Sequence, residues 1–313
     1  MKKILALILI GIMIFSLGGC TKKDTTEKTS NKKIVIGLMP DIDSIPILLA
    51  AEKGFFNEEN VTVEIQLFKS AMERDSALQS GNLDGVISDT LAIAFAKSGG
   101  FDLKITSATV GSYKLIAAQN QSAKTIANLK GKDIAISKNT IIEFVTDKII
   151  EEQNMNESDF KKIIIPQIPT RLEMLQSGNL AAATLPEPLA SAAIHKGGVL
   201  ISSSDILNIN PGVMIFTNKS LTEKTEEVKA FYRAYNKAIN YIEKEPLENY
   251  IDLLISKLGF PPNSKSHLVL PKFEKAKLPT EKDFNDCIAW LLNKNLIQKK
   301  FVYKELIDER FAE

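Results

Sequence analysis

Apolar and polar positions alternate in short runs along most of the chain. Residues 33–38 form a compact apolar β-run, and 45–53 follow with helical spacing closed by Gly54. The spacing then predicts a strand over 61–67, a helix over 71–79, a short buried strand over 85–87, a helix over 90–97 and a strand over 103–110. Strand and helix alternate again from 133 to 201. Short links between such elements predict parallel sheets with helices on their faces, an α/β architecture. From about residue 222 the pattern turns helical, over 226–243, 247–258 and 280–293. Thr280 caps the last of these, with Glu281 and Asp283 in its first turn, and Pro261-Pro262 ends the one before. These helices are expected to return onto the first half of the chain.

A six-residue string divides the α/β part in two. Leu78-Gln79-Ser80-Gly81-Asn82-Leu83 recurs as Leu175-Gln176-Ser177-Gly178-Asn179-Leu180, an offset of 97 residues, and Arg74 and Arg171 share that offset. Each copy is a helix, a Gly turn and a strand running into a loop. The offset exceeds the period of about 20–50 residues that a solenoid would show, and it fits two similar lobes.

The N-terminal pattern is of another kind. Met1-Lys2-Lys3 precedes an apolar run over residues 4–15, too short for a permanent span of about 20 residues and of the length of a secretory h-region. Leu17-Gly18-Gly19-Cys20 then resembles a bacterial lipobox, which implies cleavage before Cys20 and a lipid on that residue. Residues 21–33 are polar and lysine-rich and can bury nothing, as a tether requires. The expected organisation is a signal peptide over 1–19, a lipidated tether over 20–32, lobe one over 33–116 plus 215–313, and lobe two over 117–214.

Charge and composition narrow the chemistry. The 313 residues carry 39 Lys plus Arg against 38 Asp plus Glu, which leaves no basic field for nucleic acid. Without Lys2 and Lys3 the net charge is about −1. Two cysteines and two histidines, His195 and His267, have no zinc-ligand spacing and make no disulfide framework. Cys287 lies in an apolar helical stretch and reads as a packing residue. No Gly-x-Ser-x-Gly elbow, P-loop or Gly-x-Gly-x-x-Gly follows a strand, and His195 reads as a helix C-terminal cap. The sequence holds no catalytic constellation, and no metal or cofactor is expected.

Ligands of α/β sheets bind at the carboxyl ends of strands, where helix N-termini present free N–H groups. Four loops have that form. In Met39-Pro40-Asp41-Ile42-Asp43-Ser44, Asp43 or Ser44 serves as helix cap, and a cap alone does not need both Asp41 and Asp43. Ser88-Asp89-Thr90 offers Asp89 as a cap at the cleft wall. In Ser137-Lys138-Asn139-Thr140, Thr140 and Glu143 have capping-box spacing, and the loop presents hydroxyl, amide and backbone donors. Pro186-Glu187-Pro188 fixes the direction of one carboxylate in the second repeat copy.

With lipobox, tether, two lobes and helical tail together, the chain resembles a type II substrate-binding lipoprotein of an ABC importer, from the family serving nitrate, sulfonates, bicarbonate and thiamine pyrimidine precursors. The resemblance runs from about residue 33 to 250. It is carried by Ile36-Gly37-Leu38-Met39-Pro40, Ala50-Ala51-Glu52-Lys53-Gly54-Phe55-Phe56, Leu78 to Gly85, Leu129-Lys130-Gly131-Lys132-Asp133-Ile134-Ala135 and Pro186-Glu187-Pro188.

The resemblance implies a two-lobed type II periplasmic binding protein fold with hinge strands near 114–118 and 213–217 and a helical C-terminal tail. It implies a non-enzymatic protein that closes on its ligand and hands it to a permease and its ATPase. Lobe-one contacts would come from Met39, Asp41, Asp43, Ser44, Ser88, Asp89 and Thr90. Lobe-two contacts would come from Ser137, Lys138, Asn139, Thr140, Gln167 and Glu187, with Asn210 close to the hinge and Tyr113 as a stacking residue. The implied setting is extracytoplasmic, as a monomer held to the membrane through lipid on Cys20.

Asp41, Asp43, Asp89 and Glu187 against Lys138 alone would make the cleft acidic. That favours a nitrogen heterocycle, such as a thiamine pyrimidine precursor, over the alternative of a sulfonate- or nitrate-type oxyanion. Two other classes share these features: an enzyme of pyrimidine or menaquinone precursor synthesis on the same fold, and a sensor or adhesin lipoprotein that needs no permease.

Overall fold

A computed structural model describes residues 32–312. The leader, Cys20 and nearly all of the tether lie outside the described residues. Ten strands follow in order: β1 (Ile34–Leu38), β2 (Val63–Leu67), β3 (Gly85–Asp89), β4 (Leu103–Ala108), β5 (Tyr113–Ala117), β6 (Asp133–Ile136), β7 (Lys161–Ile164), β8 (Ala182–Pro186), β9 (Val199–Ser203) and β10 (Gly212–Thr217). The longer helices are α1 (Ile45–Glu52), α2 (Ala71–Gln79), α3 (Thr90–Ser98), α4 (Ile141–Glu152), α5 (Ile168–Gln176), α6 (Leu189–His195), α7 (Thr225–Lys244) and α8 (Glu281–Asn293).

The strands form two sheets of five, ordered β2-β1-β3-β10-β4 and β7-β6-β8-β5-β9. The two orders superimpose term by term, with β10 in the place of β5. In each sheet the first three strands are parallel, and the fourth, β10 or β5, runs antiparallel to both neighbours. Even the irregularity repeats, between Met214 and Ile215 in β10 and between Leu115 and Ile116 in β5. The sheets are therefore mixed, not parallel throughout. The antiparallel strand is the one by which the chain enters each lobe from the other.

These entry strands also move the lobe boundaries from those expected at 117 and 215. All of β5 pairs within the second sheet and all of β10 within the first, so the chain changes sheet over 109–112 and again over 204–211. A strand satisfies its N–H and C=O groups in one ladder, and dividing it between lobes would leave part of them unpaired.

The repeat has a structural counterpart. Gly81 and Gly178 end α2 and α5 with φ of 78° and 75°, in the left-handed region where glycine carries no Cβ penalty. Asn82 and Asn179 each donate Nδ2 to the hydroxyl two residues earlier, Ser80 and Ser177, at 3.0 Å.

The C-terminal helices do more than cover lobe one. The amphipathic α7 lays Val228, Phe231 and Tyr235 into the lobe-one core under α1. The expected helix over 247–258 divides into a 3-10 turn at Leu247–Asn249 and a continuous helical stretch over 251–258 that widens to a π-helix before Gly259. Helix α8 buries Phe284, Cys287, Ile288 and Leu291 and packs on α3 of lobe one. Its Trp290 crosses to lobe two, where the indole meets Phe144 of α4 edge-on at 5.8 Å and Nε1 donates to Asp147 at 3.0 Å. On another side, His267 stacks on His195 at the end of α6 with ring centroids 3.5 Å apart. Among the described residues no helix is long and apolar enough to cross a membrane.

Candidate functional site

The cleft between the sheets is walled by the ends of β1, β3 and β8 and by the N-terminal turns that follow them. Backbone bonds join its two sides: Ile42 N–H donates to Glu187 C=O at 3.2 Å, and Ile168 N–H donates to Lys69 C=O at 3.3 Å. Inside is a cavity of about 30 Å³. It shares Asp89, Ser137, Thr140 and Pro166 with a wider groove of about 370 Å³ that reaches the surface between α2, α3 and the 137–140 loop.

Two arginines face this cavity, one from each repeat. Arg74 on α2 and Arg171 on α5 are 4% and 0% exposed, and both line it. Arg74 donates Nη1 to Ile87 C=O at 3.0 Å, and Arg171 donates Nε to Thr184 C=O at 3.3 Å. Those acceptors are themselves 97 residues apart. Arg171 also donates Nη1 to Ile165 and Pro166 carbonyls at 2.7 and 3.0 Å. The Nη2 of each arginine is buried without a hydrogen-bond partner. That of Arg74 lies 2.8 Å from Asp75 Oδ1 but is not aligned with it; the aligned donor is Nε.

The two guanidiniums differ electrically. Burial works against the charge on Arg74, but Asp75, Asp89 and Asp41 outweigh it and hold the pKa above its ordinary value. Burial alone acts on Arg171 and brings it down to about 9, so it stays protonated at neutral pH with no carboxylate beside it. A buried cation with an unused donor fits an anionic ligand.

The acids of the first loop behave differently from surface carboxylates. Asp41 caps the turn over Ile42–Ser44, and Ser44, one of the two expected caps, stands at the N-cap of α1 without a side-chain bond to it. The Asp41 Oδ1 accepts from Ser44 N–H at 3.2 Å and from Ser44 Oγ–H at 2.9 Å. Burial, then the neighbouring Asp43, pushes Asp41 up to about 8. Burial likewise raises Asp43 and Asp89 to about 6. All three carboxyls are held above the ordinary carboxylate range, Asp41 furthest, so burial favours its neutral form most.

Of the residues expected at the ligand, Met39, Asp41, Ser88, Asp89, Tyr113, Ser137 and Thr140 line the cavity. Ser88 Oγ is buried without a partner. Lys138 and Asn139 line the outer groove with Met72, Phe95 and Ile164.

The others have structural partners instead. Asp43 lies behind the wall, with Tyr113 Oη–H pointing at it from 3.5 Å. Ser44 Oγ also sits 2.8 Å from Met39 C=O, so its single proton is shared between that carbonyl and Asp41 Oδ1. Thr90 donates to Pro211 C=O at 3.4 Å, and Gln167 donates to Glu73 across the rim at 3.3 Å. Asn210 donates to Thr109 C=O and accepts from Gly212 N–H, both at the sheet exchange. Glu187 turns away, pairs with Lys114 and accepts from Ser191 N–H and Oγ–H at 3.0 and 2.8 Å at the start of α6. The Glu187-Pro188 peptide is cis. Glu143 reaches Asn139 N–H at 2.7 Å, one residue before the expected box, because Asn139 takes φ of 57°. Arg74 and Arg171 were legible as a repeat signature, yet neither stood among the expected ligand residues.

Two mixed sheets of one order, exchanging a strand each and closing on a cavity lined from both, define the two-lobed periplasmic binding protein fold. The chain belongs to the NMT1/THI5 like family, whose sequence profile matches residues 41–249. It is 26% identical over 263 residues to a putative aliphatic sulfonates-binding protein of Bacillus subtilis (strain 168), covering 81% of this chain and 77% of that one. The alkanesulfonate-binding protein SsuA of Xanthomonas axonopodis pv. citri bound to MOPS has the same fold, with TM-score 0.77, 16% identity and coverage of 88% of this chain and 98% of its own. So does the periplasmic aliphatic sulphonate binding protein SsuA of Escherichia coli, with TM-score 0.74, 18% identity and coverage of 89% and 98%.

Proposed function

We propose that this chain is the solute-binding component of an ABC importer and that its ligand is a small organic oxyanion of the sulfonate class. One observation carries the ligand reading: each lobe contributes a buried arginine to one cavity, and Nη2 of Arg171 has no partner while that of Arg74 has only an unaligned Asp75 beside it. The head group would sit between Arg74 and Arg171, within reach of Ser88, Ser137 and Thr140. The organic tail would leave along the groove, where Met72, Phe95 and Ile164 supply apolar wall. The names of the Bacillus, Xanthomonas and Escherichia proteins support the same class.

The argument for a nitrogen heterocycle loses its basis. It required an acidic cleft, whereas Glu187 is paired with Lys114 outside the cavity, burial pushes Asp41 up to about 8, and Arg74 and Arg171 stand among the lining residues. Binding would act by population shift, because a head group held by both arginines favours the closed arrangement of the lobes. On this reading the chain works outside the cytoplasm as a monomer, anchored through lipid on Cys20, and presents its closed form to a permease.

Thermal unfolding of the lipid-free chain from Thr21, against alkanesulfonates, nitrate, bicarbonate and aminopyrimidines, tests the ligand class. A ligand at about 100 times its Kd adds about 2.7 kcal/mol and raises Tm by several degrees. A shift with sulfonates is expected. A shift with aminopyrimidines alone would overturn the reading.

A further inference from the structure

Asp41 shares the cavity with both buried guanidinium groups and is 7% exposed. Its Oδ1 is used twice by Ser44, and neither of those bonds involves Oδ2. The charged and titratable groups around it come from every side. Asp43 follows in the same loop, Arg74 faces it from α2, Asp89 from the end of β3, Tyr113 from β5, and Arg171 lines the opposite wall. Arg74 is the cation that acts on Asp41, and it is already paired with Asp75. An ionised Asp41 would therefore set a second negative charge beside any anion in the cavity. Because Met39 C=O already accepts Asp41 N–H at 2.8 Å, Ser44 Oγ–H can serve Oδ1, and a protonated Asp41 then has Oδ2–H left to donate.

We infer that Asp41 is a proton-carrying specificity residue, which admits an oxyanion only in its neutral form and donates Oδ2–H to one of the ligand oxygens. This inference rests on the sulfonate reading above. Ligand capture then takes up a proton whenever Asp41 begins ionised, and the pH of the medium sets the affinity. The bond is an ordinary hydrogen bond: the proton stays on Asp41 and the sulfonate stays anionic. The elevated pKa of Asp41, near 8, sets the window.

The test is calorimetric titration with butane-1-sulfonate at about pH 7 and pH 9, each in two buffers of different ionisation heat. Affinity should fall about twentyfold across that interval, with uptake of about 1.4 protons per ligand at the higher pH, nearly one by Asp41 and about half by Arg171. Asp41→Asn should bind at both pH values with only the roughly twofold loss and half-proton uptake that Arg171 contributes, because an amide donates at every pH. Binding by the wild type with no proton uptake beyond that of Arg171 would overturn the inference and leave the sulfonate reading standing. An undiminished slope in Asp41→Asn would assign the titration to another group and overturn it as well. No binding of sulfonate at either pH would overturn the sulfonate reading, and the inference with it. Should the variant fail to fold, proton uptake by the wild type decides.

Discussion

Arg74 and Arg171 are one residue of a duplicated unit. Each leaves the middle of the helix before a Gly turn and reaches the carbonyl of the third residue in its lobe's central strand, Ile87 or Thr184. Duplication thus places two like charges on opposite walls of one cavity. Only Arg74 is compensated locally, by Asp75. That asymmetry leaves Arg171 as the cation a ligand can complete.

Glu187 provides a sharp contrast, because its sequence context suggested a ligand contact and its side chain is used elsewhere. It pairs with Lys114 and caps α6 through Ser191. Glu187→Gln should lower stability by about 1–3 kcal/mol, since it weakens charge-assisted bonds at a buried site. Sulfonate affinity should stay within about threefold of wild type. Urea unfolding beside ligand titration separates the two effects, and a large loss of affinity in a stable variant would return Glu187 to the site.

The buried aspartates fix the sign of the pH dependence of stability. Asp41, Asp43 and Asp89 have folded pKa values raised above the unfolded value of 3.8, to about 8, 6 and 6. Their contribution is fully present below about pH 4 and is lost as pH rises through 6 and then 8. The ligand-free protein should accordingly gain several degrees of Tm between about pH 9 and pH 5. A Tm that falls over that interval would show these carboxylates ionised in the native state.

Much of the architecture was open to a reader of the sequence, and the reasons are local. Alternating apolar runs marked β1, α2, β3 and α3 nearly to the residue, and the six-residue repeat foretold two lobes of one order. The same matched arginines were visible but carried no sign of their direction, since they lie on helices and not in the strand-end loops where ligands are usually sought. Charge was misread for a related reason. A sequence shows four carboxylates, and only burial and pairing reveal that Asp41 is held above the ordinary carboxylate range and that Glu187 belongs to Lys114. The bridge made by Trp290 was hidden too, because it depends on where α8 lies against α4, 143 residues away in sequence.

That bridge has a measurable energy. Trp290→Ala would remove the ring packed on Phe144 and the donor to Asp147, which keeps Lys162 and Lys294 as partners. A loss of about 3–5 kcal/mol is expected, and Trp290→Phe, which keeps a ring, should cost about 1–2 kcal/mol. Equal effects of the two substitutions would mean that the indole N–H, and not the packing, holds α8 on lobe two.

The most direct test of the account is calorimetric titration of butane-1-sulfonate at about pH 7 into wild type, Arg74→Gln and Arg171→Gln, each first checked for a cooperative unfolding transition. The account expects binding by wild type and a loss of about 100-fold or more in each variant, because a desolvated charge-assisted contact vanishes from one wall. Sulfonate binding that survives both substitutions unchanged would contradict it.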